Sequence, residues 1–406
     1  MTRPLQNSSF RWFFTGRLVS LLGSSMAPVA IAFAVLESSH SAGDLGIVLA
    51  ARSIPLVLFL LVGGAVADRM SRGALLVMSN LGAALTQGIA ALLLVSGAYH
   101  LSAIASVEFL NGTLTAFTSP ALRGIVPQLV AGIDNQRANS LLATAKNAIS
   151  VAGPTASGLV VAAWGGGWAI AADAATYLVA AFCMARLDLP EHAPGPRSAL
   201  VQDLRAGWSA FRSLPWVCAT VAAFAVTNCV YVGVWNVLGP TTAKASIGAV
   251  SWGVVLSTRA VGVLVSSAAM YRVRLRRLLS AGQMCFALGA LPLVALGLRR
   301  SVFWLVPSAL AAGLGQGVMG IAWDTSLQEH VPNALLSRIA AYDDLVSFIA
   351  VPIGQVAVAP LAAALGDAHV VVAGGILFGA AALAPLLFRS VRGLEQKPKP
   401  QPTPAT

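Results

Sequence analysis

Five ionisable side chains lie inside long apolar stretches of this sequence, where a charge is energetically costly. They are Arg52, Glu108, Lys146, Asp173 and Arg259. Charged groups within membrane-spanning segments are rare, and by default they mark an ion or solute pathway. Apolar surroundings favour the neutral form of a carboxyl group, whereas a neighbouring arginine favours its charged form. An Asp or Glu in this setting can therefore take up and release a proton when its surroundings change.

Three of these residues lie at a similar depth in the chain's apolar stretches. Arg52, Glu108 and Asp173 are each about six or seven residues from the predicted outer end of their stretch. We therefore predict one shared cavity, in which Glu108 or Asp173 carries a coupling proton and Arg52 is the electrostatic partner. A static ion pair that holds helices together is the alternative. Lys146 and Arg259 are predicted to face the same cavity or to contact an anionic solute group, with a helix-end or packing role as the alternative.

The composition indicates that most of the chain's surface faces lipid. Hydrophobic residues make up 57% of the chain and charged residues only 10%, whereas soluble proteins carry about 25% charged residues. The mean hydropathy is +0.77. The net charge of +11 does not indicate a nucleic-acid partner, because no basic stretch is interleaved with aromatic residues. Cytoplasmic loops of membrane proteins collect Lys and Arg in the same way.

The positioning elements are predicted to be twelve membrane-spanning helices. About 20 apolar residues cross a bilayer as a helix, and the strict alternation of barrel strands is absent. We predict an all-α membrane protein with a six-helix bundle over 1–187, a linker with an amphipathic surface helix over 188–215, a second six-helix bundle over 216–388, and a disordered tail over 389–406. The predicted spans are residues 18–36, 46–67, 74–96, 101–121, 138–163, 167–187, 216–238, 249–270, 278–298, 302–323, 339–365 and 369–388.

The distribution of basic residues predicts the orientation. With the amino terminus inside, twenty of the 26 Lys and Arg residues lie on the cytoplasmic side, and such a bias sets the topology. We therefore expect a multi-pass protein of the plasma membrane with both termini cytoplasmic. The first apolar run is about 19 residues long and has no clear small-residue cleavage site, so it is interpreted as a span and not as a signal peptide.

A weak internal repeat indicates that the two halves arose by duplication. Gly46–Arg52 matches Gly253–Arg259 at an offset of 207 residues, and both segments open the second span of their half. A further match joins Val126–Pro127 to Val331–Pro332. Secondary transporters are commonly built from such repeats, with the solute site at the interface between them near the middle of the membrane.

The loop after the second span resembles the signature of the major facilitator superfamily. Gly64-Ala-Val-Ala-Asp68-Arg69-Met-Ser71-Arg72 is similar to G-x-x-x-D-R-x-G-R/K, with Ser71 in place of the second glycine. The resemblance implies a cytoplasmic gate in which Asp68, Arg69 and Arg72 form charge-assisted hydrogen bonds that hold the outward-facing state. An ordinary basic cytoplasmic loop is the alternative.

Two further acidic residues are predicted to belong to this gate. Asp343 and Asp344 lie near the cytoplasmic end of the eleventh span. At that depth we expect them to pair with loop arginines. A simple solvated start of the helix is the alternative.

A glycine-rich element in the fifth span resembles a motif of antiporters. Gly153-Pro154-Thr-Ala-Ser157-Gly158 is similar to G-P-x-x-G-G, with Ser157 in place of one glycine. The resemblance implies export, while a proline-kinked helix with close packing is the alternative. The branch that the chain resembles contains macrolide-efflux proteins and the enterobactin exporter. The other segments that carry this resemblance are Ser119-Pro120-Ala, Val126-Pro127, Arg137-Ala-Asn139 and Ala172-Asp173 through Thr176.

The resemblance implies proton-coupled efflux of a bulky lipophilic molecule by alternating access. Tyr231, Trp235 and Phe348 are predicted to line an apolar cavity, which suits such a solute better than a sugar, although a lipid-facing position is the alternative for these aromatic residues. One departure matters, because many drug–proton antiporters have R-x-x-Q-G in the fourth span. Here Glu108-Phe-Leu-Asn111-Gly112 replaces the base by an acid, so that proton mechanism does not transfer unchanged.

Several other functions lack their sequence motifs. The chain has no G-x-x-x-x-G-K-[ST] loop for ATP and no nucleophile elbow, so we predict no enzyme activity, no cofactor and no metal. Within transport, a lipid or lysolipid flippase, a nutrient importer and a non-transporting membrane sensor remain alternatives. The predicted partners are a small lipophilic solute, protons and membrane lipid, with no nucleic acid, and the chain is predicted to be a monomer.

The cysteines have no C-x-x-C spacing and are interpreted as small buried residues: Cys183, Cys218, Cys229 and Cys285.

Overall fold

The structure, a computed structural model, describes residues 4–59, 71–123, 125–130, 133–187, 207–270, 272–273 and 275–396. Over these residues, twelve long helices follow one another along the chain. They are α1 Ser8–Ser39, α2 Ala42–Leu58, α3 Arg72–Val95, α4 Leu101–Arg123, α5 Ile133–Trp164, α6 Gly166–Ala185, α7 Pro215–Ser246, α8 Gly248–Met270, α9 Leu278–Arg299, α10 Val302–His330, α11 Asn333–Ile349 continued by Val351–Leu365, and α12 Asp367–Leu387.

Nine of the helices in the described part of the chain are long and apolar enough to cross a membrane. The other three are α2, α4 and α5. Helix α2 has 17 described residues, and residues 60–70 lie outside the described part. Polar residues lower the hydropathy of α4, which carries Glu108 and Asn111, and of α5, which begins with a polar turn. Each predicted span overlaps one of these helices over its described residues, which confirms the predicted fold class.

Several helices are longer than the predicted spans because hydrogen bonding continues where hydrophobicity ends. Helix α1 begins at Ser8, since the side chain of Asn7 accepts a hydrogen bond from the backbone nitrogen of Phe10 at 3.1 Å and so caps the helix. At the start of α6, the Glu37 carboxylate accepts a hydrogen bond from the backbone nitrogen of Gly166 at 2.9 Å. Hydropathy alone therefore predicted the part of each helix that lies in lipid and missed its polar ends.

The linker and the tail are only partly described. Residues 207–212 are helical, within the predicted amphipathic helix, and Phe211 is buried against Tyr342 of α11 with ring centroids 6.1 Å apart. The start of the predicted disordered tail is ordered, in contrast to the prediction. There, Glu395 forms an ion pair with Arg276 at 3.1 Å, which fixes a segment that composition alone predicted to be free. The rest of the tail lies outside the described residues.

The twelve helices form two bundles with the same internal packing. In the first bundle α6 packs on α1 and α3, while α4 packs on α2 and α3; in the second, α10 packs on α8 and α9, while α12 packs on α9. Gly112 of α4 lies against the backbone carbonyl of Arg52, and Gly313 of α10 lies in the same way against the carbonyl of Arg259. Neither glycine has room for a Cβ atom, so both are needed for the helices to approach. The exact division at residues 187 and 216 stays a prediction.

The two bundles meet where α1 ends and α2 begins, which we call the closed end. Helix α5 contacts α8 there, and the hydroxyl groups of Thr155 and Ser257 are 2.7 Å apart. Helix α2 contacts α11 through a hydrogen bond from Ser53 to Gln355. At the opposite end, residues of α5 such as Lys146 are exposed, and we call this the open end. In the predicted orientation, the open end is cytoplasmic.

Replacing Gly158 by leucine is expected to destabilise the contact between α5 and α8. A Cβ atom at Gly158 would lie 2.6 Å from the carbonyl oxygen of Ala249, so the helices would have to separate. Overpacking of this kind costs about 1–3 kcal/mol, and we expect a lower thermal unfolding midpoint for the purified protein. The matched control is Gly320→Leu, because nothing lies within 4 Å of a Cβ atom at Gly320. Equal midpoints for the two variants would contradict the close contact.

Candidate functional site

An ion pair joins α2 and α4 in the interior of the first bundle. The Arg52 Nη1 atom is 3.3 Å from the Oε2 atom of Glu108. The Glu108 side chain is only 1% exposed, and the Arg52 side chain is 23% exposed. The pair forms because Gly112, one turn beyond Glu108, lets α4 lie directly on the backbone of α2. The sequence therefore places both the charges and the small residue that brings them together.

Uncharged polar side chains complete the surroundings of Glu108. The Gln87 Nε2 atom of α3 donates a hydrogen bond to the second Glu108 oxygen, Oε1, at 3.0 Å. One turn further along α4, the Asn111 amide donates to the Thr86 hydroxyl at 3.1 Å. Both oxygens of Glu108 thus accept hydrogen bonds. This is the arrangement that stabilises a carboxylate in a buried position.

Asp173 of α6 lies beside this pair in a different environment. It is 1% exposed and close enough to interact electrostatically with both Arg52 and Glu108. Its Oδ2 atom has no hydrogen-bond partner in the described part of the chain, and Gly23 of α1 lies against its other oxygen. A buried oxygen without a partner is costly when it carries charge. The two carboxyl groups therefore differ, since both oxygens of Glu108 accept hydrogen bonds whereas one oxygen of Asp173 has no partner among the described residues.

A polar cavity lies in the first bundle between Asp173 and the open end. Its volume is about 190 Å³. Tyr177, one turn from Asp173, is one of its walls, and the Tyr177 hydroxyl is 3.1 Å from the Ser24 hydroxyl. The cavity thus provides polar groups between the open end and the buried carboxyl groups. Its other polar lining residues are Arg17, Ser20, Ser79, Asn80, Thr115 and Thr118.

A second cavity lies between the two bundles and has a volume of about 210 Å³. Arg52 reaches it from the first bundle, and Trp235, Asn236 and Trp252 reach it from the second. Residues Val234–Leu238 of α7 form a π-helical turn at this point, a feature that is frequent at functional sites. The cavity therefore joins the buried ion pair to an aromatic wall.

Aromatic rings and one arginine form the second-bundle side of this region. The ring centroids of Trp235 and Trp252 are 4.7 Å apart, and those of Tyr231 and Trp235 are 5.9 Å apart. The guanidinium carbon of Arg259 lies 4.5 Å from the centroid of the Tyr231 ring, which is a cation–π contact. Trp235 lines the cavity, whereas Tyr231 and Phe348 are not among its lining residues and Phe348 is exposed.

The structure brings together some of the predicted charges and separates others. Arg52, Glu108 and Asp173 form one cluster. Lys146 is exposed on α5 and does not line the cavity between the bundles, so its predicted place beside the cluster is not observed. Arg259 lies in the second bundle, against Tyr231. Spacing along the chain gave the depth of each residue, but the rotation of each helix decided which side chains meet.

The predicted cytoplasmic gate is mostly outside the described residues. Asp68 and Arg69 are not described, and Arg72 begins α3 without a described side chain. Asp343 accepts hydrogen bonds from Trp323 Nε1 at 2.7 Å and from Ser347 at 2.9 Å. Both donors are neutral and belong to the second bundle, so among the described residues Asp343 is held within that bundle. Asp344 is partly buried on the same helix.

The antiporter-like element of α5 lies where three helices meet. Gly153 packs on Ser25 of α1, the carbonyl of Pro154 packs on Gly253 of α8, and Gly158 packs on Ala249. The element therefore provides the contact between the bundles at the closed end. This agrees with the packing role that its small residues predict.

Several residues of the site were missed by a search for charges. Gln87, Tyr177 and Gln355 are uncharged polar residues within apolar runs, and that position was the signal that could have found them. Lys244, near the end of α7, donates from its amine to the carbonyl of Leu36 at the end of α1. A cation at a helix carboxyl end is favourable, and this bond crosses between the two bundles at the closed end.

The fold is that of a polytopic membrane protein built from two six-helix bundles. The family model for transmembrane secretion effectors matches residues 1–403, and the chain therefore belongs to this family of the major facilitator superfamily. The superfamily predicted from the motifs is thus confirmed. The family and the similar structures are transporters and not enzymes.

Two characterised relatives are similar to the chain in sequence. The staphyloferrin A transporter of Staphylococcus aureus is 29% identical over 183 residues, which is 45% of this chain and 45% of that protein. The chain thus matches less than half the length of that relative. The multidrug efflux pump Tap of Mycolicibacterium fortuitum is 25% identical over 362 residues, which is 85% of this chain and 87% of that protein.

Solved structures with the same fold include two transporters. A point mutant of the nucleoside transporter NupG superposes with a TM-score of 0.76 at 13% identity and covers 93% of this chain and 99% of its own. A POT family transporter in complex with 5-aminolevulinic acid gives a TM-score of 0.66 at 14% identity, covering 93% and 95%. At these identities the likeness concerns the fold alone.

Neutralising both members of the ion pair is expected to destabilise the protein by less than the sum of the two single changes. Removing one partner of a buried pair costs about 3–5 kcal/mol, and we expect the lower end because 23% of the Arg52 side chain is exposed. Glu108→Gln and Arg52→Gln should each lower the thermal unfolding midpoint. The double variant should lose less than the sum of the two, and an additive double variant would show that the charges are not coupled.

Proposed function

We propose that this transporter exports a lipophilic small molecule in exchange for protons by alternating access. The observation that carries the proposal is the cluster of Arg52, Glu108 and Asp173, buried beside a cavity that lies between the two bundles. Two carboxyl groups next to one guanidinium cannot both be neutralised by it. One of them is therefore available for a proton, and Asp173, with its unpaired oxygen, is the one that we assign.

Competition for Arg52 would couple proton binding to solute binding. Arg52 lies 3.3 Å from Glu108 and also interacts electrostatically with Asp173 at a longer distance, so the position of the guanidinium matters for both acids. When Asp173 is protonated, Arg52 remains with Glu108. A solute in the cavity would displace Arg52 and so change the electrostatic interaction between Arg52 and Asp173. Asp173 would bind a proton when Arg52 moves away and release it when Arg52 moves closer.

The polar cavity of the first bundle supports a proton route from the open end. Its hydroxyl and amide groups, including Ser20, Ser79 and Asn80, extend to Tyr177. Tyr177 is one helical turn from Asp173. Protons and solute would therefore reach the cluster by separate paths, since the solute cavity lies between the bundles and the polar cavity lies within one.

The nature of the cavity wall supports a lipophilic solute. Ile31, Leu49 and Leu256 line it together with the two tryptophans. Its volume of about 210 Å³ is below the roughly 300–1,000 Å³ of sites that hold drug-sized ligands. A bulky solute would therefore extend beyond it toward the open end. The similarity to the efflux pump Tap and the element around Pro154 favour export as the direction.

A lipid substrate is a second candidate because an apolar groove lies on the surface of the second bundle. The groove, between α7, α11 and α12, has a volume of about 690 Å³. Val230, Leu361 and Leu377 are among its residues, and the last two are exposed. Such a surface would accept an acyl chain from the bilayer.

Neutralising Asp173 is expected to uncouple transport from the pH gradient. In proteoliposomes with an imposed gradient, Asp173→Asn should lose most of the gradient-driven accumulation of fluorescent amphiphiles, tested as a cationic, a neutral and an anionic dye. The physical reason is that an amide cannot take up a proton. Asp367→Asn is the matched control, because Asp367 is exposed at the start of α12. If Asp173→Asn keeps full accumulation, the proton assignment is wrong, and if Glu108→Gln does so as well, neither carboxyl group carries the proton. Movement of labelled lipid without a gradient would favour the flippase.

Accessibility of the cavity is expected to change sides during transport. In a variant without native cysteines, Asn236→Cys places a thiol in the wall between the bundles. A membrane-impermeant maleimide should label it from the open end, and an imposed pH gradient or added dye should shift labelling toward the other side. Arg299→Cys, which is exposed at the end of α9, is the control and should react from one side only. Fixed accessibility of Asn236→Cys under every condition would contradict alternating access.

A further inference from the structure

The two bundles repeat a backbone contact but not the charges beside it. In the first bundle Gly112 packs on the carbonyl of Arg52, and in the second Gly313 packs on the carbonyl of Arg259. This contact aligns α4 with α10. Glu108 lies four residues before Gly112, and the residue four before Gly313 is Ala309. A methyl group therefore occupies the position in the second bundle where the first bundle has the counter-ion of its arginine.

Arg259 has no carboxylate partner among the described residues as a result of this difference. Ala309 is fully buried, and the guanidinium contacts the ring of Tyr231 at 4.5 Å. The Arg259 Nε atom is buried without a hydrogen-bond acceptor in that part of the chain. A cation–π contact balances only part of a guanidinium charge, and an unpaired buried donor is costly. The site is therefore incomplete in its present state.

A second unpaired donor lies on the same aromatic stack. Trp235 is 1% exposed, and its Nε1 atom has no acceptor in the described part of the chain. The ring lies between those of Tyr231 and Trp252, at 5.9 and 4.7 Å, and Trp235 lines the cavity between the bundles. A buried tryptophan N–H usually has a partner. Arg259 and Trp235 both contact the Tyr231 ring, and each has a donor without an acceptor among the described residues. Both donors are therefore open to the acceptor groups of a ligand.

We propose that the solute is an organic anion whose acidic group binds Arg259, with Trp235 as a further donor from the cavity wall. Trp235 lines the cavity between the bundles, and Arg259 lies beside it, on the Tyr231 ring that Trp235 also contacts. The planar guanidinium matches the two oxygens of a carboxylate, and the apolar part of the solute packs on Trp235 and Trp252. This inference rests on the proposed transport function and adds the charge of the solute. A neutral solute can accept a hydrogen bond but does not balance the guanidinium charge, and a cationic solute is repelled by that charge, so both should bind more weakly than the anion.

Binding of 2-naphthoate and of its neutral isostere 2-naphthamide to the purified full-length protein tests this proposal. Isothermal titration should give a Kd for the anion at least about tenfold lower than for the amide, as one charge-assisted hydrogen bond provides. Arg259→Gln should remove this preference, and Arg259→Lys should keep part of it. Arg299→Gln is the control for the loss of one positive charge, because Arg299 is exposed at the end of α9.

Ala309→Glu is the second variant, since it supplies the counter-ion that the first bundle has. It should weaken naphthoate binding while naphthamide binding is unchanged. Equal affinities of the wild-type protein for the two compounds would overturn the proposal, as would an anion preference that survives Arg259→Gln. Failure here would leave proton-coupled transport of another solute class intact. Conversely, a preserved anion preference in a protein that shows no gradient-driven transport would refute the proposed function alone.

Discussion

A charge in the interior of a membrane protein requires a counter-ion beside it, because desolvation of one charge costs several kcal/mol. The pair of Arg52 and Glu108 meets this requirement. It depends in turn on Gly112, which brings α4 onto the backbone of α2, and on Gln87, which satisfies the second carboxylate oxygen. The helix packing of the first bundle and its charge balance are therefore one arrangement. Asp173 lies within the electrostatic reach of this pair and shares its environment.

The two bundles use the same packing for different chemistry. Each places an arginine at the second helix and a glycine opposite its carbonyl, but only the first adds an acidic residue one turn away. In the first bundle the arginine is therefore paired with Glu108, and Asp173 is an additional carboxyl group. In the second bundle Arg259 instead contacts the ring of Tyr231. In the proposed function this difference assigns protons to one bundle and the solute to the other, with Arg52 at the boundary between them.

The contacts at the closed end are of a kind that can be broken and formed again. Small residues pack closely there, and the bonds between the bundles include those of Thr155 with Ser257 and of Lys244 with the end of α1. Lipid offers no hydrophobic driving force between helices, so this interface depends on van der Waals contact and a few hydrogen bonds. Such an interface suits a transition in which the bundles move as rigid bodies, so that the closed end opens while the open end closes.

The sequence by itself determined the lipid environment, the twelve helices, the duplicated halves and the superfamily, because hydrophobicity and spacing act locally along the chain. It also placed Arg52, Glu108 and Asp173 at one depth. The tertiary structure decided which side chains meet, since helix rotation is set by contacts of Gly23, Gly112 and Gly313 with neighbouring helices. It therefore left Lys146 outside the cluster, bound Asp343 to neutral donors, and left Arg259 without a carboxylate in the described residues. These contacts involve helices that are distant in sequence, so they could not be predicted from the spacing of residues along one helix.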